Sequence, residues 1–118
     1  MNPFRAANLE VQRKDYYRSI SGSGLKIVFN RNEMISLQND LKKDPEGWRL
    51  PTIDELSYLH FFKKNRIGGF DSEYWSSSVI TIDPLSTKGN WVFSMEFGNK
   101  GVYSDLRQNA KIRLVRDL

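Results

Sequence analysis

The chain contains no cysteine, a single histidine and no long run of apolar residues. Without cysteine it can form no disulfide and offers no thiolate metal ligand or cysteine nucleophile. That absence does not fix the compartment, since exported proteins often lack cysteine too. No stretch has the length and apolarity of a signal peptide or a membrane span. We therefore expect no membrane insertion, and any export signal would be missing from this chain.

Size and composition predict one globular domain. The 118 residues are 39% hydrophobic and 13% aromatic, which excludes the disordered and fibrous classes and is enough for a single core. We divide the chain into an N-terminal segment, residues 1–24, which could add a strand, and a globular domain, residues 25–118.

A net charge of +4 raises the question of a nucleic-acid or anionic-polymer partner. The basic residues are spread along the chain and cluster only in short pairs, such as Arg13-Lys14, Lys42-Lys43 and Lys63-Lys64. Because clustering rather than total charge indicates nucleic-acid binding, this pattern is typical of a solvated surface. A nucleic-acid partner is not favoured.

Two segments have the apolar spacing of α-helices. Met34, Leu37 and Leu41 recur on one stripe, which predicts a helix over residues 32–43 with Asn32 as the N-cap. A second helix is predicted to begin after Thr52. Thr52 and Glu55 can form a capping box there, in which each side chain accepts the other residue's backbone N–H.

Period-two alternation predicts the strands. The clearest case is a strand with Trp91, Phe93, Met95 and Phe97 on its core side. The remaining predicted strands are an early one within residues 9–20, one with Leu25, Ile27 and Phe29 buried, residues 74–80, residues 102–104, and a last one with Ile112 and Leu114 inside. Turns or loops are predicted at residues 21–24, 65–71, 83–90 and 98–101. The class is α+β, with five or six mostly antiparallel strands.

Four motifs in order resemble one protein family. They are Gly47-Trp48-Arg49-Leu50-Pro51-Thr52 with Glu55-Leu56 and Leu59, Tyr74-Trp75-Ser76-Ser77-Ser78, Trp91-x-Phe93 with Phe97-Gly98, and Ile112-Arg113-Leu114-Val115-Arg116. This series is similar to the Lcl C-terminal-domain family, a bacterial family found in exported and surface proteins, including collagen-like adhesins. The resemblance covers about residues 25–117.

The resemblance implies a C-type-lectin-like fold, with two helices packed on a twisted, mostly antiparallel sheet. The same fold occurs in formylglycine-generating enzymes and in receptor-binding proteins of some phages. It implies a secreted or cell-surface location, and it places ligand contacts in the irregular region between the second helix and the last strands. Binding groups commonly lie on loops that a rigid frame positions.

Catalysis is not expected. Formylglycine-generating enzymes depend on cysteine and metal chemistry, which a chain without cysteine cannot copy. The only histidine, His60, lies on a predicted helix, where a partly buried structural role is the expected one. Ser76-Ser77-Ser78 has no nucleophile elbow around it and is interpreted as a strand with hydroxyls on both faces.

No cofactor or metal is expected either. Several oxygen ligands for calcium are available in the C-terminal half. The chain nevertheless lacks both a Glu-Pro-Asn sugar-binding loop and the spacing of an EF-hand. The motif residues Arg49 and Arg116 are expected to form ion pairs that tie the helix start to neighbouring chain. The three tryptophans are expected in the core.

The candidate binding residues lie outside the motifs, in or beside predicted loops. They combine an aromatic ring, charges and amides, which suits polar recognition: Lys88, Asn90, Tyr103, Asp105, Arg107, Gln108 and Asn109. We predict a non-enzymatic recognition or adhesion module that binds a glycan or a protein surface. The alternatives are a binder of anionic polymers, sulfated glycan or nucleic acid, and a structural domain of a larger bacterial or phage particle. The sequence leaves the oligomeric state open.

Overall fold

A computed structural model describes residues 4–6, 8–22, 24–63, 66–82 and 87–118. Within these residues the chain forms two α-helices and eight β-strands. In chain order they are β1 (Phe4–Ala6), β2 (Leu9–Val11), β3 (Arg18–Ser19), β4 (Leu25–Lys26), α1 (Arg31–Leu41), α2 (Ile53–Lys63), β5 (Glu73–Ile82), β6 (Thr87–Ser94), β7 (Asn99–Tyr103) and β8 (Val115–Asp117). Neither helix in this part of the chain is long and apolar enough to cross a membrane.

The predicted α+β class is confirmed, but the strands form three small sheets instead of one. Their orders are β1-β2-β8, β3-β4 and β5-β6-β7, and every pairing between these strands is antiparallel. Two hydrophobic clusters fill the space between the sheets and helices. The sheet β5-β6-β7 contributes residues to both clusters and is called the central sheet below.

Helix α1 begins at Arg31, one residue before the predicted start, and its N-cap is Asn30 rather than Asn32. The Asn30 side chain accepts the Glu33 N–H at 2.9 Å, and the Glu33 carboxylate accepts the Asn30 N–H at 2.9 Å. Only Asn30 has a glutamate three residues later, so only Asn30 can complete the reciprocal capping box. Met34 and Leu37 are buried as the stripe predicts.

Helix α2 begins where predicted, and its capping box is present. Thr52 Oγ1 accepts the Glu55 N–H at 3.1 Å, and the Glu55 carboxylate accepts the Thr52 N–H at 2.8 Å. Ser78 Oγ, from strand β5, accepts the Ile53 N–H at 3.0 Å. The helix start is therefore bonded to the central sheet as well as capped by its own sequence.

The middle of the central sheet, at residues 74–76 and 92–94, is buried on both faces, which the alternation in residues 91–97 does not predict. Tyr74 and Phe93 lie opposite each other and belong to the first cluster, with α2. Trp75 and Val92, the next pair along, belong to the second cluster, with α1. Val92 was expected on the outer side but is buried.

The strand predicted around residues 25–29 is much shorter than expected. Leu25 and Ile27 are exposed, and only Phe29 is buried, where it forms a bridge with Ala110. Strands β3 and β4 pair over two residues each. This short ladder supports no core face, so the alternation there does not correspond to burial.

The predicted loops differ in outcome. Asn65 and residues 83–86 lie outside the described residues, as does Ser23 of the turn at 21–24 and Lys64 of the Lys63-Lys64 pair. Residues 87–90 were predicted as loop but belong to β6. The hairpin between β6 and β7 turns at residues 95–98, so residues 99–101, predicted as part of the turn, are strand.

The N-terminal segment is part of the fold. Strand β2 lies between β1 and β8, and Leu9 and Val11 are buried in the first cluster. The predicted early strand thus exists at the start of residues 9–20. Near the other terminus Ile112 and Leu114 are buried as predicted, although they precede the last strand, β8.

Candidate functional site

The Gly-Trp-Arg-Leu-Pro-Thr motif is structural. Arg49 donates two hydrogen bonds of 2.8 Å to the Glu55 carboxylate and a third, of 2.9 Å, to Asp117. This fork joins the start of α2 to β8, which agrees with the expected ion-pairing role. Burial raises the pKa of Glu55, but the bonds from Arg49 and from the Thr52 N–H outweigh it, so the pKa falls below its ordinary 4.5.

The three tryptophans also have structural contacts. Trp75 is fully buried, and its Nε1–H donates to the Phe29 carbonyl at 2.7 Å. The Arg116 guanidinium lies 4.5 Å from the Trp48 ring centroid and donates to Glu10 at 3.0 Å. Trp91 is only partly buried, and the Lys100 ammonium lies 4.9 Å from its ring centroid. The expected core position is confirmed for Trp75 and for Trp48, which is buried in the second cluster, but not for Trp91.

Among the predicted binding residues, Asn90 is not available to a ligand. It lies in β6, only 1% exposed, and its amide donates to the Ser76 carbonyl at 3.0 Å. Its Oδ1 accepts a 2.9 Å bond from Arg31 of α1. The loop interpretation of Asn90 was wrong because β6 begins at Thr87 and carries Asn90 into the interior.

Three more predicted residues stabilise the turn at residues 104–109. The Gln108 side chain accepts the Ser104 and Asp105 N–H groups at 3.1 and 3.0 Å. Asp105 pairs with Arg107 at 2.8 Å, and bonds from Arg107 lower the Asp105 pKa to about 2. These side chains bond within the turn itself. Lys88 is exposed on β6, opposite Thr81 on β5.

Tyr103 and Asn109, the remaining two, lie at a surface groove. Two depressions, about 350 and 260 Å³ in volume, share Glu73, Ser94, Phe97 and Tyr103 in their walls. Because they share these residues, we treat them as one feature, the sheet groove. The larger half also includes Asn109, and the smaller half extends along β7 to Gly101.

The register of the central sheet explains the groove. Glu73, Ser94 and Asn99 lie opposite one another on β5, β6 and β7, so their side chains share a face. The next row on that face ends at Gly101, opposite Val92. A Cβ added at Gly101 would meet nothing within 4 Å. The missing side chain at Gly101 therefore leaves the open floor of the smaller half.

A hydrogen bond marks the place where the two halves meet. The Tyr103 hydroxyl donates to the Glu73 carboxylate, across the width of the central sheet. Burial, and then this bond, raise the pKa of Tyr103 to about 12, so the phenol stays protonated at neutral pH. The Tyr103 ring stands edge-on to buried Trp75, with centroids 5.7 Å apart. The bond and the ring contact fix the position of Tyr103.

Phe97 stands at the rim of the groove and is 75% exposed. It was predicted to face the core. Strand β6 ends at Ser94, however, and the Ser94 hydroxyl accepts the Phe97 N–H at 3.1 Å within the turn. The following residue, Gly98, has φ of +74° and packs against the His60 ring. The turn is thereby anchored on α2, with Phe97 directed to solvent.

Two glutamates and two lysines line the groove, but Lys100 lies opposite Phe93, on the other face of the sheet. Glu73 and Glu96 line it, whereas its lysines have partners elsewhere. Lys111 lies 3.5 Å from Asp15, and Lys100 covers Trp91. Within the described residues, no three histidine, aspartate or glutamate side chains converge as metal ligands would.

A larger depression, of about 450 Å³, is lined by residues 12–17 and Leu114. Almost all of its wall comes from one irregular segment. The sheet groove instead takes Glu73, Ser94, Asn99 and Tyr103 from three hydrogen-bonded strands, which hold these side chains in fixed relative positions. We therefore regard the sheet groove as the candidate functional site.

Sequence reasoning missed Glu73, Phe97 and Gly101. Phe97 continues the apolar alternation of Trp91 and Phe93, so its periodicity gives no warning that it leaves the core. Gly101 does carry a signal once β7 is known to include it, because a glycine inside a strand often marks the close approach of a ligand or another backbone. Glu73 lies beside a motif but has no pattern of its own.

Comparison with models of known protein families and with curated proteins finds no match to this chain.

Proposed function

We propose that this protein is a non-enzymatic recognition module of C-type-lectin-like architecture, which binds a glycan or a protein surface at the sheet groove. The architecture rests on the ordered motifs that resemble the Lcl C-terminal-domain family, together with the α+β class. A surface or secreted location follows from the same resemblance. The binding role rests on the groove itself.

The observation that carries the proposal is a solvent-directed aromatic ring beside fixed polar groups. Phe97 is exposed at the rim, while Tyr103, Glu73 and Ser94 are held by the strand register and by hydrogen bonds. A single exposed apolar ring is ordinary on a protein surface, so Phe97 supports a binding role through the groove that it borders. Convergent polar groups next to it supply orientation and specificity.

Recognition is favoured over catalysis because the residues that could catalyse have structural contacts. The His60 ring packs against Phe61 and Phe93, with centroids 5.4 and 5.5 Å apart. The Ser76 hydroxyl donates to the Trp91 carbonyl at 2.6 Å, and the Ser78 hydroxyl accepts the Ile53 N–H. Each group is used to hold the sheet and helix together.

The proposal is tested by surveying immobilised glycans and cell-surface proteins with the purified chain. A saturable partner whose binding is lost in Phe97→Ala would support it. Phe62→Ala is the matched control, because Phe62 is similarly exposed, at 66%, on α2. If Phe97→Ala and Phe62→Ala lose binding equally, or if neither changes it, the binding site lies outside the sheet groove. No saturable partner at all would refute the function.

A second candidate, an assembly domain in a larger particle, is favoured by one observation. Phe61 and Phe62 at the end of α2 are 70% and 66% exposed. Adjacent exposed phenylalanines are unusual on an isolated domain and would be covered in an assembly of copies. Light scattering at rising concentration tests this. Self-association that Phe61→Ser with Phe62→Ser abolishes would favour assembly, and a monomer throughout would remove this candidate.

A further inference from the structure

We infer that the sheet groove takes an uncharged saccharide, with the apolar face of a sugar ring against Phe97 and its hydroxyls on Glu73, Tyr103 and Asn99. This inference rests on the proposed function and names the chemical class of the ligand. It depends on three properties of the groove: its floor, its polar walls and its charge.

The floor suits a flat ring. At Gly101 the strand has no side chain, and the space above it is open. Val92 lies beside it on the same face. A ring can therefore approach the sheet backbone closely, as at other strand glycines that border ligands. The smaller half of the groove, about 260 Å³, lies below the range of about 300–1,000 Å³ that drug-sized ligands occupy.

The walls suit hydroxyl groups. A carboxylate, an amide, a phenol and an aliphatic hydroxyl line the smaller half, from Glu73, Asn99, Tyr103 and Ser94. Together they can donate to and accept from the closely spaced hydroxyls of a sugar. A protein partner would instead need a pocket for an aromatic or aliphatic anchor. The apolar side chains at this half are Val92 and Phe97, and Phe97 stands at the rim.

The charge opposes an anionic ligand. A sulfate or phosphate in the smaller half would lie beside Glu73, while Lys111 pairs with Asp15 and Lys100 covers Trp91. Like charges at such distances repel, and the cost is largest at low ionic strength. An uncharged sugar avoids this repulsion and still uses the Glu73 carboxylate as a hydrogen-bond acceptor.

The test uses the ¹⁵N-labelled full chain, titrated with uncharged oligosaccharides of hexoses and N-acetylhexosamines, with their sulfated forms, and with a peptide library. Saturable shifts of the Gly101 and Phe97 amides with an uncharged sugar, unchanged in affinity between low and moderate salt, are the expected result. We expect Phe97→Ala and Gly101→Leu each to weaken that binding by about tenfold or more, about 1.4 kcal/mol.

The control for Gly101→Leu is Gly68→Leu, because a side chain at Gly68 also meets open space but lies outside the groove. It should bind the sugar as the natural chain does. Phe97→Ala keeps the test valid if Gly101→Leu does not fold.

Two results would overturn the inference. Groove shifts caused by peptides and not by sugars would leave the recognition function standing with a protein partner. Preference for the sulfated sugars, with affinity that collapses as salt rises, would show that an anionic polymer is the ligand. If no probe shifts the groove amides and no partner is captured by the chain, the proposed function fails as well.

Discussion

At the scale of single residues, Arg113 is the most buried charged group among the residues that the structure describes. It is 1% exposed and donates to the Gln12, Gly68 and Gly69 carbonyls and to Asp15. Its guanidinium also lies 4.9 Å from the Phe70 ring centroid. One side chain thus ties the N-terminal segment to the loop after α2.

We expect Arg113→Met to lower the free energy of unfolding by about 3–5 kcal/mol, because it leaves the Gln12, Gly68 and Gly69 carbonyls without their donor and removes one partner of Asp15. Urea denaturation followed by tryptophan fluorescence measures the change. Arg107→Met is the control, since the Asp105–Arg107 pair is exposed and its loss should have no measurable effect. Equal stability of the two variants would show that the buried network contributes little.

Glu55 predicts a pH dependence of stability. Its pKa in the folded chain is below the ordinary value of 4.5, so the folded state binds a proton less readily than the unfolded state. The stabilisation is therefore complete above about pH 4.5 and is lost as the pH falls through the folded-state pKa.

We expect the urea midpoint of the natural chain to fall over that acidic range more steeply than that of Glu55→Gln, which has no carboxylate to titrate. The two curves should converge as the pH falls. Parallel curves across the range would contradict the role of the Arg49–Glu55 pair in acid stability.

At the scale of elements, the β6–β7 turn depends on its contact with α2. Gly98 and Gly47 both have positive φ, of +74° and +77°. A Cβ at Gly98 would lie 2.6 Å from His60 Cε1, whereas one at Gly47 would meet nothing within 4 Å. Comparing alanine substitutions at the two glycines therefore separates the cost of the backbone conformation from the cost of steric overlap.

We expect Gly47→Ala to cost about 1–2 kcal/mol of unfolding free energy from its left-handed backbone alone. Gly98→Ala should cost a further 1–3 kcal/mol or so, because the His60 ring is held by Phe61 and Phe93. Adding His60→Ala should reduce the Gly98→Ala cost toward that of Gly47→Ala. If Gly98→Ala and Gly47→Ala cost the same in the chain that keeps His60, the turn moves freely away from the helix.

At the scale of the whole molecule, the N-terminal segment completes the core. Strand β2 contributes Leu9 and Val11 to the first cluster, and Glu10 pairs with Arg116 of β8 at 3.0 Å. Removing residues 1–24 would expose the cluster and leave Arg113 without Asp15.

We expect residues 25–118 alone to lack near-ultraviolet circular dichroism and a cooperative unfolding transition. Adding a synthetic peptide of residues 1–24 should restore part of both signals, because the missing strand can pair again with β8. A truncated chain that folds cooperatively by itself would show that the domain begins at residue 25.

Local chemistry made much of the fold predictable. Thr52 and Glu55 specify the start of α2 through two short hydrogen bonds between neighbours in sequence, so sequence was enough. Asn30 was missed in favour of Asn32 because both residues are good caps, and the choice depends on Glu33. The burial of Phe93 followed from alternation, and that of Trp75 from the expectation that the tryptophans lie in the core.

The sheet groove was less predictable. Two of the predicted binding residues, Tyr103 and Asn109, line it, but Asn90 is buried and Gln108 holds a turn. Their composition alone could not distinguish a hydrogen bond to a ligand from one to the chain itself. Phe97 was assigned to the core because its spacing matches that of Phe93.

The sequence by itself determined the α+β class, both helices and the capping box at Thr52, since these depend on contacts between residues a few positions apart. The tertiary structure decided what lies on each face of the central sheet. Glu73, Ser94 and Gly101 share a face only because three strands pair in one register. That register joins residues distant in sequence, and it depends on packing from both hydrophobic clusters, which no local pattern records.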